Sequence, residues 1–239
     1  MTLVVFGGGY WGHHHVSGLL KAKAAGRASF DSLVVVDRLA EHAVRTAFGD
    51  RPDVAIVVQE WDDFLDDYMD RAMRGREDRL VPAPVAPHLF MTWLQRSLAR
   101  LRPDFAWETR ALEEPLATPF EATGSQGERF VSFAEWMCPP NCIEPRRCPA
   151  IKAERTWEMP ETMARYGEAL GVVETAVFHS KHYAWGIAAL PSQALEDARA
   201  RILESLPVSG GDYLIATVSS CHGVAGMISA RPIPTRPER

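Results

Sequence analysis

Residues 2–12, TLVVFGGGYWG, decide how the chain begins. Thr2 to Phe6 is a short apolar run rich in β-branched side chains, and it stops at three glycines, as a buried parallel strand does before a tight turn. A helical pattern follows, with Val16, Leu19, Leu20 and Ala24 recurring at helical spacing and Gly26 as the stop. Gly7, Gly9 and Gly12 satisfy G-x-G-x-x-G between strand and helix, with Tyr10 and Trp11 inside the motif. In such a turn Gly7 permits the tight bend, Gly9 lets the backbone approach a pyrophosphate, and Gly12 permits close helix-to-strand packing. The helix N-terminus adds amide donors and the positive end of its dipole.

Working outward, Leu33–Val36 reads as a second buried strand ending in Asp37, Leu39–Phe48 as a helix, and Val54–Val58 as a third strand. Trp61–Met73 is an acidic amphipathic helix and Arg79–Val81 a short fourth strand, and right-handed crossovers make the set a parallel, doubly wound sheet. Pro82–Pro87 is a rigid connection, and His88–Leu101 is helical again. The predicted fold class is α/β, with an N-terminal Rossmann-like parallel sheet over residues 1–102. Asp37, at the end of the second strand, is placed to accept hydrogen bonds from a ribose diol, which favours NAD; the adjacent Arg38 keeps NADP open.

GGGYWG, the helix after it and VVVDR resemble the Rossmann units of NAD-dependent oxidoreductases and of TrkA-type regulatory domains, over residues 1–85. The resemblance implies that Gly7, Gly9, Gly12 and Asp37 hold a dinucleotide. Three consecutive histidines, His13, His14 and His15, depart from that pattern. On a helix they point about 100° apart, so they do not chelate one ion together.

From Pro103 to Pro160 the periodicity fades and prolines and glycines recur, so residues 103–160 read as an irregular Cys-rich insertion. Residues 161–230 read as a C-terminal α/β portion: a helix over Glu161–Leu170, strands over Thr175–Phe178 and Tyr183–Leu190, a helix over Ser192–Leu206, then strands over Asp212–Val218 and Gly223–Ser229. Residues 231–239 read as a disordered tail.

Cys138, Cys142 and Cys148 follow a C-x3-C-x5-C spacing with prolines after the first and third, and Arg146 and Arg147 beside them favour thiolates. With the remote Cys221 they suit an iron–sulfur cluster or, alternatively, tetrahedral zinc, and a third reading is free or redox-active thiols. His179, Lys181 and His182 interrupt two apolar strands, and His88 opens a helix near the carboxyl ends of the strands, which makes these four the candidate catalytic residues.

A net charge of −5 argues against nucleic acid as a partner, and no run reaches the ~18 apolar residues of a bilayer span. The sequence thus predicts a cytoplasmic protein with a small-molecule ligand or a redox partner, and leaves a homo-oligomer open. Its leading functional expectation is an NAD(P)-binding redox protein of the oxidoreductase type with an iron–sulfur or other Cys-ligated metal centre. The alternatives are a non-enzymatic TrkA-like nucleotide or redox sensor and an S-adenosylmethionine-dependent methyltransferase.

Overall fold

A computed structural model describes residues 1–70, 77–82 and 88–234. In chain order the elements are β1 (Thr2–Phe6), α1 (Tyr10–Ala24), β2 (Ser32–Asp37), α2 (Ala43–Phe48), β3 (Val54–Val58), α3 (Trp61–Asp70), β4 (Arg79–Val81) and α4 (Leu89–Leu101). Then come β5 (Phe105–Arg110), β6 (Phe120–Thr123), β7 (Arg129–Ser132), β8 (Arg147–Cys148), β9 (Ala153–Glu154), α5 (Met159–Leu170) and β10 (Glu174–His179). The last are β11 (Lys181–Ala184), β12 (Ile187–Pro191), α6 (Gln193–Ser205), β13 (Gly211–Val218) and β14 (His222–Pro232). The protein is mixed α/β, and the chain divides into two units that exchange segments.

The first unit comprises Met1–Leu89, Trp136–Thr156 and His179–Leu195. Its sheet has the order β11-β12-β4-β1-β2-β3. β1 is parallel to β2 and β4, β2 is parallel to β3, and the hairpin β11–β12 adds two strands antiparallel to β4. Leu3, Val4 and Val5 are all wholly buried, as expected of a strand covered on both faces. Alternation sends Leu3 and Val5 to the face covered by Val16 and Leu19 of α1 and Val44 of α2. Phe6, on the opposite face, meets Phe64 of α3 edge to face at 6.2 Å.

The second unit comprises Phe90–Glu135, Trp157–Phe178 and Glu196–Arg239. Its sheet has the order β10-β13-β14-β7-β6, and β5 also pairs with the long β14. Met159 and Met163 of α5 pack on one face with Leu214, Ala216 and Val218 of β13. Phe90 of α4 meets Phe178 of β10 on the other, and Arg199 of α6 lies over the Trp93 ring of α4 at 5.4 Å.

Several expectations need correction. Residues 103–160 are not mainly loop: β5, β6 and β7 belong to the second unit's sheet, whereas Trp136–Thr156, with all three clustered cysteines, packs in the first unit. The helix expected over Leu39–Phe48 begins only at Ala43, because the Asp37 carboxylate takes the Leu39 N–H and His42, in an extended conformation, caps α2 by accepting from the Arg45 N–H. β3 is buried only at Val54, since it is the edge strand. The buried stripe of α1 runs through Gly12, Val16, Leu19 and Ala22, with Ala24 exposed. Tyr183–Leu190 is not one strand but the hairpin β11–β12, which places Lys181 and His182 in a strand rather than a loop. Arg231 and Pro232, assigned to the tail, end β14; residues 235–239 lie outside the described residues, as do 71–73 of the expected third helix and 83–87 of the proline connection.

α1 is seated on β1 by an approach only glycine permits: a Cβ at Gly12 would stand 1.9 Å from the Gly7 carbonyl oxygen. Gly12→Ala is expected to destabilise the protein by about 3 kcal/mol, the scale of overpacking a tight contact. Urea unfolding checks this, and a wild-type midpoint would contradict the seating.

Candidate functional site

The glycine turn lies at the carboxyl end of β1, a central strand. Gly7 has φ +91°, in the region that favours glycine, and its N–H donates to the Val36 carbonyl at 2.8 Å. The Trp61 ring closes this side, 3.3 Å from where a Gly7 Cβ would stand, and its Nε1–H donates to the same Val36 carbonyl at 3.0 Å. Gly9 is the N-cap of α1 and contributes no side-chain cap, so the first amides of the helix are left to other acceptors. A Cβ at Gly9 would meet nothing within 4 Å, so that face of the turn is open.

Asp37 is brought to the turn. Its Oδ2 accepts the Gly8 N–H at 2.7 Å, its Oδ1 accepts the Leu39 N–H at 2.9 Å, and each oxygen keeps acceptor capacity. Arg38, beside it, is exposed. The glycines and Asp37 thus form one constellation, as their spacing implies. Tyr10 is 76% exposed, and Trp11 is half-buried against His14 and His15.

Sequence reasoning missed His42. Its imidazole lies against Gly8, where an added Cβ would stand 2.3 Å from Nδ1. Because Nδ1 accepts from the Arg45 N–H, the proton of the neutral ring is on Nε2, which is buried without a hydrogen-bond partner. The only local signal for this role is the position of His42 just before a helix.

The other candidates lie on other elements. His88 precedes α4, and His179 ends β10. His182 has a local structural task, its Nε2 accepting the Gly186 N–H at 3.0 Å across the β11–β12 turn. Cys138 and Cys142 are half-buried, Cys148 and Cys221 are buried, and none forms a disulfide. Cys142 Sγ accepts the Glu144 N–H at 3.4 Å. Among the described residues no group of three or more His, Cys, Asp or Glu side chains is placed to hold a metal ion. Among them, too, no helix is long and apolar enough to cross a membrane.

Residues 90–231, more than half of the chain, match the AF_1314_C family model, described as "Uncharacterized protein, C-terminal domain", and the chain belongs to that family. No curated protein and no solved structure matches the chain. The matched region begins in α4, so the glycine turn, Asp37 and His42 all lie outside it.

His15, within α1, has its pKa lowered to about 4, first by burial and then by repulsion from His14. The unfolded chain therefore takes up this proton first as pH falls, so His15 contributes stability that is whole above pH ~6.5 and is lost between there and pH ~4. Urea midpoints should fall more between pH 7 and pH 4.5 in the wild type than in His15→Gln. Parallel pH profiles for the two proteins would refute the assignment.

Proposed function

We propose that the N-terminal unit binds a dinucleotide of the NAD type, with the pyrophosphate on the open side of Gly9 and Asp37 accepting from a ribose hydroxyl. The observation that carries the reading is the Asp37 carboxylate held 2.7 Å from the Gly8 N–H, which sets an acid and the glycine backbone on one ligand-sized feature. Strand order supports it as well: β3-β2-β1-β4 runs outward in both directions from β1, and ligands of open α/β sheets bind at the carboxyl ends of the strands beside such a reversal. The unmatched His42 Nε2–H adds a donor next to the same turn.

In this reading the backbone amides of residues 9 and 10 and the α1 dipole bind phosphate, the Gly8 N–H holds Asp37 in place, Trp61 walls the turn, and Asp37 discriminates. A 2′-phosphate would be repelled by the Asp37 carboxylate, so NAD is preferred to NADP. Nicotinamide, when bound, supplies hydride exchange, which makes a redox role the first to test. The thiols have no part in this reading.

Calorimetric titration with NAD, NADH, NADP and S-adenosylmethionine tests the proposal. NAD or NADH is expected to bind more tightly than the other two. Gly9→Val should fold normally, since an added Cβ meets nothing within 4 Å, yet abolish binding by filling the approach to the pyrophosphate. Retained affinity in folded Gly9→Val, or tighter binding of S-adenosylmethionine, would overturn the reading.

A further inference from the structure

The face of α1 opposite its buried stripe lines a cleft of about 600 Å³, within the range of small-molecule sites. Tyr10, His13, His14, Ser17, Gly18 and Lys21 form the stripe at helical spacing, and residues 141, 143 and 185 close the other side. All of these belong to the first unit. Two features set the cleft apart from ordinary surface.

The first is charge. In a chain of net charge −5, the ionisable side chains lining the cleft are Tyr10, His13, His14 and Lys21, with no carboxylate among them. Lys21 and the two imidazoles supply N–H donors to an anion.

The second is a strained aromatic. Ala184 pairs with Ile187, so Trp185 and Gly186 form a two-residue hairpin turn, both with positive φ, +47° and +78°. Such turns favour Asn-Gly, and a bulky side chain at the first position is strained. Trp185 is nonetheless there, 47% exposed, over the cleft. The turn is held firmly: the Gly186 N–H donates to His182 Nε2, and a Cβ at Gly186 would stand 2.3 Å from the Asn141 Cα. Tyr10 and Ile143, 76% and 51% exposed, extend the apolar surface. Strain retained at a fixed, exposed aromatic marks a position kept for contact rather than for the turn.

We propose that this cleft binds a small planar ring carrying a phosphate group, the ring on Trp185 and Tyr10 and the phosphate on Lys21 and His14. A fixed aromatic wall and a basic floor recognise the two parts of such a ligand together, and neither part alone gains both contacts. The proposal uses none of Gly7, Gly9, Gly12 and Asp37, and of Tyr10 it uses the ring and not the amide, so it does not rest on the dinucleotide reading.

The test is titration of the full chain with 1-naphthyl phosphate, and with inorganic phosphate and 1-naphthol as its separated parts. Naphthyl phosphate is expected to bind at one site at least about tenfold more tightly than either part, and Lys21→Gln should weaken it about tenfold, the scale of a lost charged hydrogen bond. Trp185→Asn should remove the preference for naphthyl phosphate over phosphate while raising the thermal midpoint, because it relieves the turn; a residue serving the fold would lower it. Gly9→Val should leave naphthyl phosphate binding unchanged. Absence of saturable binding, equal binding of phosphate and naphthyl phosphate, or a lowered midpoint in Trp185→Asn would each overturn the proposal.

Discussion

The contact on which the first unit depends is that of Gly12 with the Gly7 carbonyl. No side chain of any size fits between them, so α1 must leave the β1 turn at one distance and one angle. That seating puts Val16, Leu19 and Ala22 onto the sheet and, by helical periodicity, turns Tyr10, His14, Ser17 and Lys21 away from it. Gly8 is confined in the same way, with the His42 ring on its α-carbon and the Asp37 carboxylate on its N–H. The turn is therefore held from within and from both sides, as a preorganised backbone site requires.

The interleaving of the chain completes the structure around this turn. Residues 136–156 and 179–195, which lie within the family-matched region, pack in the N-terminal unit, and β12 extends its sheet through Leu190 opposite Leu80. The first unit is thus not the first ninety residues alone. Its α1 face acquires Asn141, Ile143 and Trp185 from segments more than a hundred residues away. The boundary at residue 102 expected from the sequence leaves out the later segments that pack in this unit.

What the sequence made legible was what is local. Strands β1, β2 and β4 and the glycine turn are read correctly because each is specified within a few residues by burial on both faces or by backbone conformation. β5, β6 and β7 are not, because their pattern is largely that of exposed antiparallel strands, and β14, which pairs β5 and β7, lies some hundred residues on. The β11–β12 hairpin is hidden because its turn reads Trp-Gly, a pair that carries no Asn-Gly signal.

The two faces of α1 differ in how they would recognise an anion. At its N-terminus the donors are backbone amides, which have no sequence identity and need only glycine to be reached; along its outer face they are side chains, which depend on residue identity at every position. Along the helix axis His14 and Lys21 lie about 7 and 18 Å from Gly9, the nearer about one screening length of ~8 Å at physiological salt. Charges bound on the two faces would therefore repel each other only in part. Because Gly12 holds α1 in one place, the helix itself offers no second position that either ligand could favour, and coupling between sites requires such a differential. Occupation of the two faces should therefore be close to additive, and any strong cooperativity would have to come from an element other than α1.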